Sequence, residues 1–178
     1  MTLILALDLA TKTGWARGRI GEAPQFGSVR FGHASSDQNV IFGAALHWCS
    51  KFLAAQLPDA LFIEALLPPQ AMINKTSRQV RDRLAGLHGI IRAVAQLRGV
   101  ERIEQCKVGD VRSHFINGRG LKRERAKGET MLQCRALGWN AADDNQGDAL
   151  ALWSYACALV DPATAIKTVP LFNRALVL

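Results

Sequence analysis

The chain has 178 residues, of which 49% are apolar and 21% charged, with a formal net charge of +7. This is the composition of an ordinary globular protein long enough for one domain with a sizeable core, and the positive balance favours polyanionic partners, nucleic acid first. Its longest apolar run, residues 149–160, contains Ser154 and Tyr155 and is too short to span a bilayer, so no membrane partner is expected.

Residues 3–7 are five apolar residues leading into Asp8, and a polar turn through Thr11, Lys12, Thr13 and Gly14 follows. So apolar a run predicts a strand covered on both faces, near the middle of a sheet. A carboxylate ending such a strand either caps its turn or meets a hydrogen bond, a cation or a metal. Residues 14–20 and 25–32 predict two further strands joined through the bend Glu22-Ala23-Pro24, an antiparallel meander with the first. From residue 39 to 57, Ile41, Ala45, Trp48, Phe52 and Leu53 recur at helical spacing, and Pro58-Asp59 ends the helix.

Ala60-Leu61-Phe62-Ile63-Glu64 repeats the pattern of the first strand. Two short apolar runs, each ending in an acid, predict neighbouring parallel strands with both acids at one sheet edge, where ligand clefts form in α/β folds. Residues 66–75 contain Pro68-Pro69 and predict a loop, with Thr76 or Ser77 capping a helix that runs to about Arg98. Its expected buried stripe is Leu84, Leu87, Ile91 and Val94 or Ala95. Arg78, Arg81 and Arg83 crowd its early turns, with Lys75 just ahead, and Gly86 and Gly89 allow the close approach of another helix or a second subunit.

Residues 101–106 predict a fifth strand, and 107–116 a broken helical pattern. The most basic segment follows, with Arg119, Lys122, Arg123, Arg125 and Lys127 set between glycines, a candidate for contacting a phosphate backbone. A helix through Met131, Leu132 and Leu137 stops at Gly138. Asp143 or Asp144 then caps a last helix that reaches Val160, and the tail from Asp161 shows no clear pattern. Cys49, Cys106, Cys134 and Cys157 form no CxxC pair and are expected to be reduced, buried thiols. His33, His47, His88 and His114 show no ligand spacing and are expected to be structural or exposed.

Asp144 and Asp148 are four apart and share a helix face, where like charges repel unless something positive sits between them. Asp8, Glu64, Asp144 and Asp148 together offer four hard oxygen donors, suited to Mg²⁺ or Mn²⁺. Two such ions about 4 Å apart can bind the attacking water and the leaving oxygen in phosphodiester cleavage.

The order of elements, together with LALDLATKTGWA at 5–16, FIEALL at 62–67 and DDNQGDALALW at 143–153, resembles the ribonuclease H-like fold. Within it, the sequence is similar to the RuvC-type Holliday-junction resolvases over about residues 3–160. The resemblance implies one α/β domain across residues 1–178, a ribonuclease H-like five-stranded mixed sheet flanked by helices on both faces, with a C-terminal tail at 161–178. It implies a metal-dependent, structure-selective endonuclease that cuts four-way or other branched DNA as a homodimer. Asp8, Glu64, Asp144 and Asp148 would bind two Mg²⁺ or Mn²⁺ ions, and Lys127, with Lys122 as the alternative, would lie near the scissile phosphate. Lys75, Arg78, Arg81, Arg119, Lys122, Arg123 and Arg125 are the expected DNA-backbone contacts. Met72 and Ile73, in the loop after Glu64, are candidate wedges at the strand exchange. The expected location is the cytoplasm, at the nucleoid of a bacterial or phage-infected cell.

The chain departs from the family pattern in two places. Ala10 stands where many relatives have Gly. The final acids are four apart, with Asn145 at the position three before the last, where bacterial relatives place an acid or His. Three other readings compete: an actin-like ATPase or sugar kinase, for which the chain is short; a non-catalytic branched-DNA-binding module; and a nuclease acting on RNA–DNA hybrids.

Overall fold

The computed structural model describes residues 1–33, 35–67, 77–118 and 120–165. Five strands, β1 (Leu3–Asp8), β2 (Lys12–Arg19), β3 (Gln25–Arg30), β4 (Ala60–Glu64) and β5 (Arg102–Cys106), form one mixed sheet in the order β3-β2-β1-β4-β5. β1, β2 and β3 pair antiparallel as the expected meander, while β4 and β5 continue the sheet parallel to β1. The helices are α1 (Gln38–Ala55), α2 (Arg78–Leu97), α3 (Val108–Ile116), α4 (Arg123–Ala136) and α5 (Asp144–Val160). Sheet and helices make the five-stranded α/β architecture expected from the sequence, with boundaries shifted by one to two residues at most ends.

Alternation along the central strands sorts their side chains between two layers. Ile4 and Ala6 of β1 and Ala60 and Phe62 of β4 pack on one face, against α5 and its neighbours. Leu5, Leu7, Leu61 and Ile63 pack on the other, with Leu53 of α1 and Ile91, Val94 and Ala95 of α2. Burial on both faces explains why these strands read as continuous apolar runs instead of alternating.

Helix α5 is the core of the first layer. Ala149 to Ser154, Ala156 and Cys157 are all buried, a helix apolar nearly all round because β1, β2, α3 and α4 surround it. Its amino terminus rests directly on β2: a Cβ at Gly14 would overlap the Asn145 backbone carbonyl, so only glycine fits there. In the second layer the Phe42 ring of α1 occupies the space that a side chain at Gly86 of α2 would need, at 2.8 Å for its Cε1. Gly86 thus serves a helix–helix contact within the chain, whereas Gly89 faces open space. Ser77 caps α2, its hydroxyl accepting from the Val80 N–H at 3.3 Å. The α2 stripe differs from the expected one at two points: Leu84 is only half-buried, while Arg83 and His88 are buried.

All four cysteines are free and buried, as expected. His33 and His47 are exposed. His114 is half-buried beside Ser154, with Nε2 3.2 Å from Oγ. Among the described residues no helix is long and apolar enough to cross a membrane.

Candidate functional site

The parallel register sets Leu7 beside Ile63, so the next residues, Asp8 and Glu64, end neighbouring strands at the same carboxyl edge. Asp8 continues the row of Ile4 and Ala6, and Glu64 the row of Ala60 and Phe62. By strand alternation both acids therefore face the α5 layer. Gly14 stands opposite Asp8 in the antiparallel register, and the Asn145 backbone lies over Gly14. The missing side chain at Gly14 is what lets the acidic end of α5 approach the strand acids.

The electrostatics carry the mark of this convergence. Burial, then the fields of Glu64 and Asp148, push the Asp8 carboxyl well above the usual range, against the opposing pull of Arg123 and Lys127. Burial and Asp148 push Glu64 up to about 7, with Arg112 and Arg123 pulling the other way. Asp148 is raised by burial too, and Asp144 adds to the rise while Arg112, Lys127 and Arg123 oppose it. Three acids from two strands and a helix thus act on one another through a poorly solvated space.

Asp144 is more open, its side chain 47% exposed, and Lys127 Nζ donates to its Oδ2 at 2.6 Å. Asp143 is the helix cap: its Oδ1 accepts from the Gln146 N–H at 3.0 Å, and its Oδ2 accepts from Lys12 Nζ at 2.7 Å and Ser28 Oγ at 3.1 Å. Burial pushes Asp143 up, but these hydrogen bonds outweigh it and hold the carboxyl below its ordinary value. Of the two acids that sequence leaves open as caps, the structure uses Asp143 and releases Asp144 into the first turn.

The candidate basic residues fall into separate groups. Lys122, Arg123 and Arg125 are exposed at the start of α4, on the α5 side of the sheet. Arg123 and Lys127, one turn apart, both reach the acids electrostatically. Arg125 Nε lies 3.8 Å from Glu129. Arg78 and Arg81 stand on α2, in the opposite layer, with Arg78 Nε 3.6 Å from Asp82. Arg83, grouped with them by its position in sequence, is buried. Lys75, Arg119, Met72 and Ile73 lie outside the described residues. The residue that sequence reasoning missed is Arg112. It is half-buried on α3 and is the foremost positive influence on both Glu64 and Asp148. Its only sequence signal was its place on a short helix beside the apolar Val111 and Phe115, which are buried.

No protein-family model matches the chain, and no curated protein matches it in sequence. Its structure does have counterparts. RuvC of T. thermophilus in complex with Holliday-junction substrate matches with a TM-score of 0.69 at 14% identity, over 93% of this chain and 98% of that one. The chain has the ribonuclease H-like fold of the RuvC-type resolvases. A second RuvC structure from Thermus thermophilus matches at a TM-score of 0.66 and 16% identity, over 92% of this chain and 98% of that one. The yeast mitochondrial Holliday junction resolvase Ydc2 matches at 0.61 and 11%, over 97% of this chain and 83% of that one. The RuvC fold therefore spans almost the whole chain, although few residues are shared.

The donor set fits a divalent cation in kind. Asp8, Glu64 and Asp148 are carboxylates, hard donors whose mutual repulsion and burial a cation relieves. The set is not drawn together, however. Among the described residues no three His, Cys, Asp or Glu side chains are grouped so as to hold an ion. Bare like charges have no reason to close up, and the fourth acid, Asp144, is taken by Lys127.

Proposed function

We propose that this protein is a metal-dependent, structure-selective endonuclease that hydrolyses phosphodiester bonds in four-way or other branched DNA junctions. The observation that carries the reading is the convergence of Asp8, Glu64 and Asp148 at one sheet edge, each raised by burial and by its neighbours. Structural neighbours described as Holliday-junction resolvases support it, as does the formal charge of +7.

In this reading Asp8, Glu64, Asp144 and Asp148 hold two Mg²⁺ or Mn²⁺ ions. Bound there, such ions would supply Lewis-acid chemistry, activating water and stabilising a leaving oxygen. The protein supplies the rest. The sheet edge and α5 set the backbones that carry the carboxylates, so that only side chains have to close on the ions. Lys127 stabilises the charge that develops on the phosphate. Arg123 and Arg112, already within electrostatic reach of the acids, balance the site and steer the phosphate into it. Lys75, Arg78, Arg81, Arg119, Lys122 and Arg125 position the backbone of the DNA arms, and Met72 and Ile73 wedge the strand exchange. The working unit is one domain per chain in a homodimer, one site for each of two symmetric strands. The open side of α2 at Gly89 is the face offered to the second copy.

The test is cleavage of labelled four-way, three-way and linear duplex DNA, and of an RNA–DNA hybrid, with Mg²⁺, Mn²⁺ or EDTA. Paired symmetric nicks in the four-way junction, abolished by EDTA, are the expected result. Cutting of RNA–DNA hybrids in place of junctions, or junction binding without cutting in either metal, overturns the reading.

A further inference from the structure

Each of the four acids needs positive charge, yet they obtain it differently. Lys127 Nζ sits 2.6 Å from Asp144 Oδ2, an ammonium–carboxylate pair in which the Lys127 side chain is only 24% exposed. Asp8, Glu64 and Asp148 make no ion pair among the described residues. Lys127 projects from α4 one turn after Arg123 and joins α4 to the first turn of α5. An ammonium on a long flexible stem and a divalent cation compete for the charge of one carboxylate, because two cations held close to the same group repel each other.

We propose that Lys127 is an internal counter-ion which a divalent cation displaces from Asp144, so that filling the site and freeing the Lys127 ammonium toward substrate are one event. This rests on the reading of the acids as a metal centre. The alternative is a plain structural role, in which the pair only staples α4 to α5. The two differ in sign. A competitor weakens metal binding, so its removal tightens it; a staple helps to place Asp144, so its removal loosens it.

The experiment is calorimetric titration of Mn²⁺, without DNA, into the full-length wild type and the variants Lys127→Met, Lys127→Gln and Lys127→Arg. Removing the charge is expected to tighten Mn²⁺ binding about two- to fivefold, the scale of a partly exposed ion pair. Lys127→Gln can still hydrogen-bond Asp144 and hold the helices together, so it must tighten as Lys127→Met does. Lys127→Arg keeps the charge and must stay near the wild-type affinity. Equal or weaker binding by both neutral variants, beside normal wild-type binding, overturns the exchange and leaves the metal centre intact. No saturable binding by any of the four proteins overturns both. Titration of Mg²⁺ against the ¹⁵N signal of the Lys127 ammonium gives an independent check. The signal must shift as the site fills, and a signal indifferent to saturating Mg²⁺ overturns the exchange.

Discussion

Lys12 Nζ lies 2.7 Å from Asp143 Oδ2, tying the first residue of β2 to the cap of α5. Ser28 of β3 donates to the same oxygen, so two strands hold the start of the helix that carries Asp144 and Asp148. Both side chains are partly open, 34% and 24% exposed, so solvent screens the pair. Lys12→Met is expected to cost about 1 kcal/mol or less in urea denaturation. Asp143→Ala also loses the cap and is expected to cost about 1 kcal/mol more. Both variants should weaken Mn²⁺ binding, because a loosened α5 no longer holds its acids over β1.

Gly14 is the tightest point between strand and helix. A methyl group there meets the Asn145 backbone, which cannot rotate aside as a side chain would. Gly14→Ala is expected to lose about 2 to 3 kcal/mol of stability by overpacking, read from thermal or urea unfolding. A wild-type unfolding midpoint in this variant would show that α5 does not rest on β2.

The strand acids oppose the metal-free fold they belong to. Glu64→Gln removes a half-buried carboxyl that desolvation and Asp148 push up to about 7. The metal-free variant is therefore expected to be more stable than wild type at pH 8, by about 1 to 3 kcal/mol. Asp8→Asn should behave likewise. Both should abolish cleavage while keeping junction binding, since affinity for DNA comes from the basic surface. Cleavage at the wild-type rate by Asp8→Asn would remove it from the site.

The same shifts set a pH dependence. An acid whose folded value lies above its unfolded one supports the fold fully below the unfolded value and loses that support as pH rises. For Glu64 the window runs from 4.5 to about 7. In the proposed metal centre Mg²⁺ would bind the ionised carboxylates and restore the loss. Added Mg²⁺ should therefore raise the melting temperature clearly at pH 8 and hardly at pH 5, as differential scanning fluorimetry can measure.

His88 pulls in the other direction. It is buried on α2, and burial, reinforced by the charge of Arg92, lowers it from 6.5 to about 4. A histidine depressed in the fold gives its full support above 6.5 and loses it as pH falls toward 4. His88→Leu should flatten the acid limb of the stability profile, and urea midpoints between pH 4 and 7 would register it.

Much of this molecule is written in local pattern. The apolar runs before Asp8 and Glu64 predict two covered parallel neighbours with acids at one edge, and the register of Leu7 with Ile63 agrees. The pairing of the first four strands was legible because a short meander and a helical crossover leave few arrangements open, whereas the place of β5 beside β4 was not. What resisted reading were residues whose surroundings come from distant segments. Arg83 looks like a surface position by its charge, and His88 could be structural or exposed, yet both are buried. Gly86 could have faced another helix or another subunit until Phe42 was found against it.

The sequence by itself determined which elements form and which residues can bear chemistry, because periodicity and side-chain type act over a few neighbouring residues. Tertiary structure alone decided how those residues divide the work. It made Asp143 a cap held by Lys12, left Asp144 to Lys127, brought Arg112 toward Glu64 and Asp148, and sent Arg78 and Arg81 to the opposite layer. The physical reason is that charge and desolvation act through space. A carboxylate's partner and its cost depend on what lies within a few ångströms, and along this chain those neighbours are as much as 131 residues away.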